Sequence, residues 1–489
     1  MNGRGWMGRF ARTASVALVT AVVASGCTTV IRSSVSSDGA ESNGASADLR
    51  APVISDTGRF VSFVSSASNL VQSDTNGTND VFRHDNLVGG TTRVSVEDAG
   101  AQVAAASDLY AMSGDGAHVG FGTAASLESA DTNHALDIYV RSVDAGTTER
   151  VTILPNGEPI VKMGQTGVIS HVSLSDDGRY ILMVYSQPGR ADTYIRDRQA
   201  DTTTHVATWA LYAQLTGDGS AFVEDVGCGS STCRGSTVLQ HWMQGTSEPV
   251  GNGAAGSNSS CGFNAYDVTS DGRYVLGRQY AAYPFFACAA PIGLVRWDTV
   301  TKTAAAVGDG TDASRYSLSD DGRLVAYRTG TGVVKVVDVL TGVVQRADTD
   351  FFGQPGDGVA QWASLADGGR FLVLGSPATN LVPGDSNGVA DVFTRFSIRP
   401  TVSWIAPGSL ARGATHQTVQ VHGSFLSGLT VTMGDGVTVH GAALVGPDLL
   451  SLDVSVAPDA PAGAHDVMVT NLGSVGFGSG VCLGCLTVT

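Results

Sequence analysis

Apolar and polar residues alternate with a period of two through short runs along most of the chain, as in RFVSFVS (59–65), DVFRHD (80–85) and DIYVRS (137–142). Such alternation marks strands that bury every second residue. Seven times a short strand enters a tight turn and an alternating strand leaves it: ISDTGRFVSF (54–63), MSGDGAHVGF (112–121), LSDDGRYILM (174–183), LTGDGSAFVE (215–224), VTSDGRYVLG (268–277), LSDDGRLVAY (318–327) and LADGGRFLVL (365–374). The turn glycines, Gly58, Gly116, Gly178, Gly219, Gly272, Gly322 and Gly369, lie about 52 residues apart on average, a spacing of four-stranded propeller blades and not of helical repeats. A third strand follows (DVFRHD, DIYVRS, DTYIRD, GLVRWD, VVKVVD, DVFTRF), its apolar residues expected to face one way, and then a threonine-rich fourth (TTRVSV, TTERVTI, TTTHVAT). A lone four-stranded sheet leaves two faces and two edges bare, so the units are expected to stack in a ring.

The seventh unit lacks its fourth strand: after DVFTRF the chain meets Pro400 and changes character. The missing strand is found at the other end. SVSSDGAESNGAS (34–46) aligns without gaps to SVEDAGAQVAAAS (95–107), six identities in 13, and the latter begins in the outer strand of unit one. The N-terminal segment is therefore expected to supply the outer strand of blade seven. Deleting residues 29–40 should then open the ring. From residue 400 on, alternating strands with Pro/Gly turns predict a small β-sandwich. The expected fold is all-β: a seven-bladed β-propeller closed by an N-terminal strand, followed by a small immunoglobulin-like β-sandwich.

Unit one, SDTGRFVSFVSSASNLVQSDTNGTNDVFRHDNLVGGTTRVSV, resembles the WD40-like propeller repeat of TolB-type periplasmic proteins. The resemblance covers roughly residues 29–399 and is strongest in units one, two and seven. It is weakest in unit four, whose loop reads GCGSSTCRGS; that blade is expected to be irregular and braced by a disulfide. The segments VQVHGSFL and APDAPAGAHDVMVTN resemble the immunoglobulin-like IPT/TIG fold, which implies a spacer or interaction module.

The N-terminus carries Arg4, Arg9 and Arg12, then the apolar run ASVALVTAVVA, then small residues before Cys27. This is the anatomy of a secretory signal, too short to span a bilayer as a finished helix. ASGC resembles the lipobox of bacterial lipoproteins, which implies lipidation of Cys27; plain secretion is the alternative. The expected organisation is a signal peptide over 1–26, a propeller over 27–399 and a sandwich over 400–489. Beyond Cys27 six cysteines remain, an even number in an oxidising compartment. By proximity the pairs are Cys228 with Cys233, Cys261 with Cys288 and Cys482 with Cys485, although six cysteines allow 15 pairings. With a net charge of -16 and no cluster of Lys or Arg, neither nucleic acid nor an anionic lipid surface is an expected partner.

SDTNGTND places Asp74, Asn76 and Asp80 at positions 1, 3 and 7 of a glycine-containing loop, and ADTNHALD (Asp131, Asn133, Asp137) and GDSNGVAD (Asp385, Asn387, Asp391) repeat the spacing. Three oxygen-bearing side chains on a turn make calcium the candidate cofactor. An EF-hand would carry a glutamate at position 12, where Asp85, Ser142 and Phe396 stand instead. The competing reading has Asp74 and Asn76 holding the turn through bonds to the backbone while Asp80 anchors the next strand.

Other motifs carry less. GDSNG (384–388) fits the G-x-S-x-G of serine hydrolases, but Ser386 aligns with Thr75 and Thr132 of the repeat and no helix follows. GNGAAG (251–256) fits a dinucleotide fingerprint without its βαβ frame. His84, His118 and His134 form no ligand pair beside a carboxylate. The acid pairs Asp176–Asp177 and Asp320–Asp321 precede turn glycines, so capping the turn accounts for them.

No catalytic residue can be assigned, and the enzyme question leans towards no. The expected function is a lipid-anchored, extracytoplasmic, monomeric propeller that binds a protein or glycan of the cell envelope. The alternative is a polysaccharide lyase or hydrolase working in the propeller funnel.

Overall fold

The computed structural model describes residues 30–48, 50–133, 135–154, 156–162, 167–226, 237–251, 263–280, 291–307, 314–340, 342, 344–350, 353–396, 401–424, 429–446, 449–471 and 479–489. The signal segment, Cys27, His134, Cys228, Cys233, Cys261, Cys288 and most of the GNGAAG stretch lie outside them.

Among the described residues the strands form nine four-stranded sheets. Seven are blades in which consecutive strands pair antiparallel, as in blade one with Val53–Ile54, Phe60–Ser65, Asp80–Asp85 and Gly90–Arg93. Blade seven takes Trp362–Leu365, Phe371–Ser376 and Asp391–Phe396 from its own repeat and Val30–Arg32 from the N-terminus. The register pairs Val30 with Arg395 and Arg32 with Phe393. The aligned segments also fold alike, since Val35 bridges Glu41 as Val96 bridges Gln102.

The buried apolar residues fall into one cluster per blade-to-blade interface. Val81 and Val94 join Val119 and Phe121 of blade two, whereas Phe82 and Phe63 join Val373 and Val392 of blade seven. Consecutive residues Val81 and Phe82 thus point to opposite neighbours, and the whole run Asp80–Asp85 is buried. The expectation of one apolar face on the third strand is corrected: a blade is flanked on both sides, so both faces are covered. Each fully buried Val or Phe here is worth about 1.5–3 kcal/mol over exposure.

The turn glycines add a second ring of contacts. Gly58 has φ +71° and lies so close to Phe371 of blade seven that a Cβ would sit 2.2 Å from its ring. Gly116 meets Phe60 in the same way at 2.5 Å. Positive φ and the flat ring beneath each exclude a side chain.

Blade four is a complete sheet, Ala210–Leu215, Phe222–Val226, Thr237–His241 and Thr246–Pro249. The expected irregularity does not extend to its strands. Leu215 and Phe222 are buried towards blade three and Val223 and Leu239 towards blade five, while the divergent loop, 227–236, lies outside the described residues.

The C-terminal segment forms two sheets. Thr401–Ala406, Gln417–Ser424, Leu449–Val456 and Val437–Gly446 make one, in that spatial order; Ser409–Leu410, Ser479–Val488, Gly463–Asn471 and Leu429–Thr432 make the other. Val419, Val421, Leu452, Val454, Val467 and Leu486 share one core between them, which is the arrangement of an immunoglobulin-like sandwich. Cys482 and Cys485 are paired as a disulfide, their Cα atoms 5.6 Å apart. No helix among the described residues is long and apolar enough to cross a membrane.

Candidate functional site

The three Asp-x-Asn loops fold alike. In blade one Asn76 donates to the Val103 carbonyl at 2.9 Å and to Asp80 at 3.3 Å, and its own Oδ1 accepts from Thr78 N. Asp80 accepts from Ser95 at 2.7 Å and from Gln102 at 3.0 Å. Asn133 and Asn387 repeat the bond to their aspartates, Asp137 and Asp391, at 2.9 and 2.8 Å. Tyr139 adds a bond to Asp131 at 2.7 Å, and Ser34 of the closing strand's extension donates to Asp391 at 2.5 Å.

Between the first and last aspartate of each loop lies a guanidinium from the fourth strand. Arg93 is 3.4 Å from Asp74 and 3.5 Å from Asp80. Arg150 is 3.5 Å from Asp131 and 3.7 Å from Asp137. Arg32 is 3.6 Å from Asp385, 3.9 Å from Asp391 and 2.5 Å from Glu41. These side chains are buried, and burial pushes the Asp80, Asp137 and Asp385 carboxyls up despite the arginines. The sequence reading named all nine loop residues and none of the arginines. The signal was present, since Arg93, Arg150 and Arg32 occupy one repeat position.

A second constellation lies on the ring axis, where the inner strands end in their turns. The residues opening the turns, Asp56, Gly114, Asp176, Gly217, Ser270, Asp320 and Asp367, meet blade to blade: Asp56 N donates to Gly114 O, Asp176 N to Gly217 O and Asp320 N to Asp367 O, at 2.7–2.9 Å. Asp56, Asp176 and Asp367 bring carboxylate oxygens within 4.8 Å of one another, and among the described residues they are the group that could hold a metal ion. Burial first, then the neighbouring carboxylates, push Asp56 up to about 6 and Asp367 up to about 9. Burial likewise raises Asp267 to about 6.

The capping account of the paired acids holds for the second of each pair only. Asp177 and Asp321 accept from Arg179 N and Arg323 N, while Asp176 and Asp320 line the axis.

The third constellation is at the other end of the inner strands. A cavity of about 700 Å³ is lined by Tyr266, Arg278, Arg315, Tyr316, Arg328, Gln361 and Trp362 from blades five, six and seven. Tyr266 and Tyr316 stack with centroids 4.2 Å apart. Arg315 lies 3.9 Å over the Trp362 ring, and Arg50 lies 5.0 Å over Tyr110. Burial and the like charges of Arg328 and Arg50 push the Arg315 pKa down. Its backbone φ is +58°, at a bulge between Ser314 and Tyr316. Part of this mouth stands in the repeat, since Tyr110, Tyr266 and Tyr316 each lie six residues before a turn glycine and Arg278 and Arg328 six after one, while Arg315 and Trp362 share one repeat position with different residue types.

The remaining motifs are structural. Ser386 donates to Glu41 at 2.8 Å, and that carboxylate is itself paired with Arg32. His84 is buried, bonded to Thr91 at 2.8 Å, and burial pushes its pKa down to about 4. His118 bonds Ser142 at 2.9 Å.

Residues 399–478 match the family model of quinohemoprotein amine dehydrogenase, alpha subunit domain III. No curated protein matches the chain. Among solved structures, TolB from Acinetobacter baumannii is 16% identical over 53% of this chain and 57% of its own, with a TM-score of 0.35. The match therefore spans less than two thirds of TolB. The β-propeller domain of the trilobed protease from Pyrococcus furiosus is 12% identical over 76% of this chain and 95% of its own, TM-score 0.46. An oligogalacturonate lyase from Vibrio parahaemolyticus is 8% identical over 76% and 91%, TM-score 0.46. The fold assignment rests on the sheet order and the interface cores described above.

Proposed function

We propose that the protein is a non-enzymatic binding propeller of the cell envelope, exported through its N-terminal signal, anchored by a lipid on Cys27 and monomeric. A protein or glycan partner enters the mouth of the channel. One observation carries this reading: the mouth gathers three arginines and three aromatic rings around a ligand-sized cavity, a combination of flat apolar surface and directed polar groups typical of recognition sites.

The Asp-x-Asn loops are read as structural. A buried guanidinium supplies the positive charge that calcium would otherwise bring to Asp74 and Asp80, to Asp131 and Asp137, and to Asp385 and Asp391. The enzyme alternative draws on Asp56 and Asp367, whose raised pKa values suit acid–base work. These residues lie at the far end of the channel. Tyr316 lies in the strand Ser314–Leu318 and Asp320 in the turn that follows it, four residues on, up to roughly 13 Å at the strand rise.

The test is retention of envelope material by the immobilised full-length chain. Trp362→Ala and Arg315→Ala are expected to lose retention, while Leu340→Ser, on an exposed turn at the opposite face, keeps it. Equal retention by all three would remove the mouth from the account. Turnover of an envelope polysaccharide that disappears in Asp367→Asn would move the assignment to an enzyme.

A further inference from the structure

We propose that the mouth binds an acidic oligosaccharide, with a sugar carboxylate held by Arg315 and a ring stacked on the neighbouring aromatic faces; this rests on the reading of the mouth as the binding site. The charge argument comes first. Arg50 is paired with Asp108 at 2.6 Å, and Arg328 donates to the Ala360 carbonyl at 2.6 Å. Arg315 has neither an ion pair nor a hydrogen bond among the described residues, and its ring contact with Trp362 leaves the fork of the guanidinium open. An anion would relieve the mutual repulsion of these guanidinium groups, and a carboxylate matches the fork in two parallel bonds.

The backbone points the same way. A non-glycine residue at φ +58° is strained, and strain of this kind persists where the surroundings enforce it. Here the bulge between Ser314 and Tyr316 places Arg315 against Trp362 instead of in the strand ladder.

Sugar is favoured over peptide by the shape of the inner-strand edges. An extended peptide binds by adding a strand to a straight edge. The inner strands of blades five and six are interrupted by bulges, Ala265/Asp267 and Ser314/Tyr316, so a continuous ladder is not offered. What the mouth offers is flat: Trp362 and the stacked Tyr266–Tyr316 pair, in a volume suited to a few sugar rings.

The experiment is calorimetric titration of the full-length chain with a uronic-acid hexasaccharide, with a neutral hexose hexasaccharide of the same linkage and with a glutamate-rich hexapeptide. The acidic sugar is expected to bind at least roughly tenfold more tightly than the neutral one. Arg315→Ala should remove that preference, Arg315→Lys should restore part of it, and Trp362→Ala should weaken both sugars. Unchanged melting of Arg315→Ala excludes misfolding as the cause. Equal binding of both sugars, or binding of the peptide alone, would overturn the proposal. If no hexasaccharide binds while Arg315→Ala still loses envelope retention, the ligand class is wrong and the mouth reading stands. If Arg315→Ala and Trp362→Ala also retain envelope material normally, the mouth reading falls with it.

Discussion

The Asp-x-Asn loops and the channel mouth are both built around arginine, and they use it in opposite ways. In the loops each arginine lies between two buried aspartates, and the motif recurs in blades one, two and seven. At the mouth Arg315 faces other arginines and an indole, and no other blade carries an arginine at its repeat position. The difference separates two tasks. A repeated charge that is answered inside the blade holds the blade together; an unrepeated charge left unanswered is available to something outside.

The largest effect expected from this contrast comes from the closing strand. Removing residues 29–40 takes away Val30–Arg32, the Arg32 guanidinium and one flank of Asp391. Cooperative melting should be lost, or its midpoint lowered by on the order of 10 °C or more. A truncated chain that melts like the intact one would show that the ring does not depend on this strand.

Next comes Arg93→Met, which leaves Asp74 and Asp80 buried without their cation. Breaking a buried ion pair from one side costs about 3–5 kcal/mol, measurable by denaturant unfolding. A loss below about 1 kcal/mol would mean that the loop charges are answered by something other than Arg93.

A smaller, pH-dependent effect is expected on the channel axis. Asp56 and Asp367 hold their protons more tightly folded than unfolded, their folded pKa values being raised to about 6 and about 9. Stability is therefore fully present only below the ordinary carboxylate value of 3.8 and is lost as pH rises from there through the folded values, at no more than about 1.4 kcal/mol per pH unit for each group. Asp367→Asn should be more stable than the parent at pH 8 and nearly equal to it at pH 4. A parent chain whose stability rises between pH 5 and 8, with no gain in Asp367→Asn, would contradict the shared burial of these acids.

The smallest effects belong to the mouth and to calcium. Arg315→Ala should leave the melting midpoint within about 1 °C, as expected for an exposed residue with no bonded partner. Millimolar calcium and excess chelator should give superimposable melts. A rise of several degrees in calcium that vanishes in Asp74→Ala and Asp385→Ala would make the loops metal sites after all.

Much of the fold was legible because repetition exposes it. The seven turn glycines gave the blades, and the match of 34–46 to 95–107 gave the closing segment, although the strand itself, Val30–Arg32, lies just ahead of the matched residues as Gly90–Arg93 lies ahead of theirs. The arginines in VIR, TTR and TTER stand at the same repeat position, but the metal-ligand spacing involves the carboxylates and amides alone. Arg93 is 19 residues from Asp74, and Arg32 lies at the opposite end of the propeller sequence from Asp385, so only the folded ring shows that they meet. In the turns, Asp176 and Asp177 look equivalent as letters. Strand geometry sends one to the axis and leaves the other to cap the turn. The mouth was legible only in part, because Arg315 and Trp362 come from different blades at a repeat position where the residue type is not kept.

The most direct measurement is binding of envelope material by the full-length chain and by Arg315→Ala, each in millimolar calcium and in excess chelator. The account predicts that the chelator leaves binding unchanged and that Arg315→Ala abolishes it in both conditions. Binding that disappears with the chelator and survives in Arg315→Ala would place the function in the repeated loops and contradict the division drawn here.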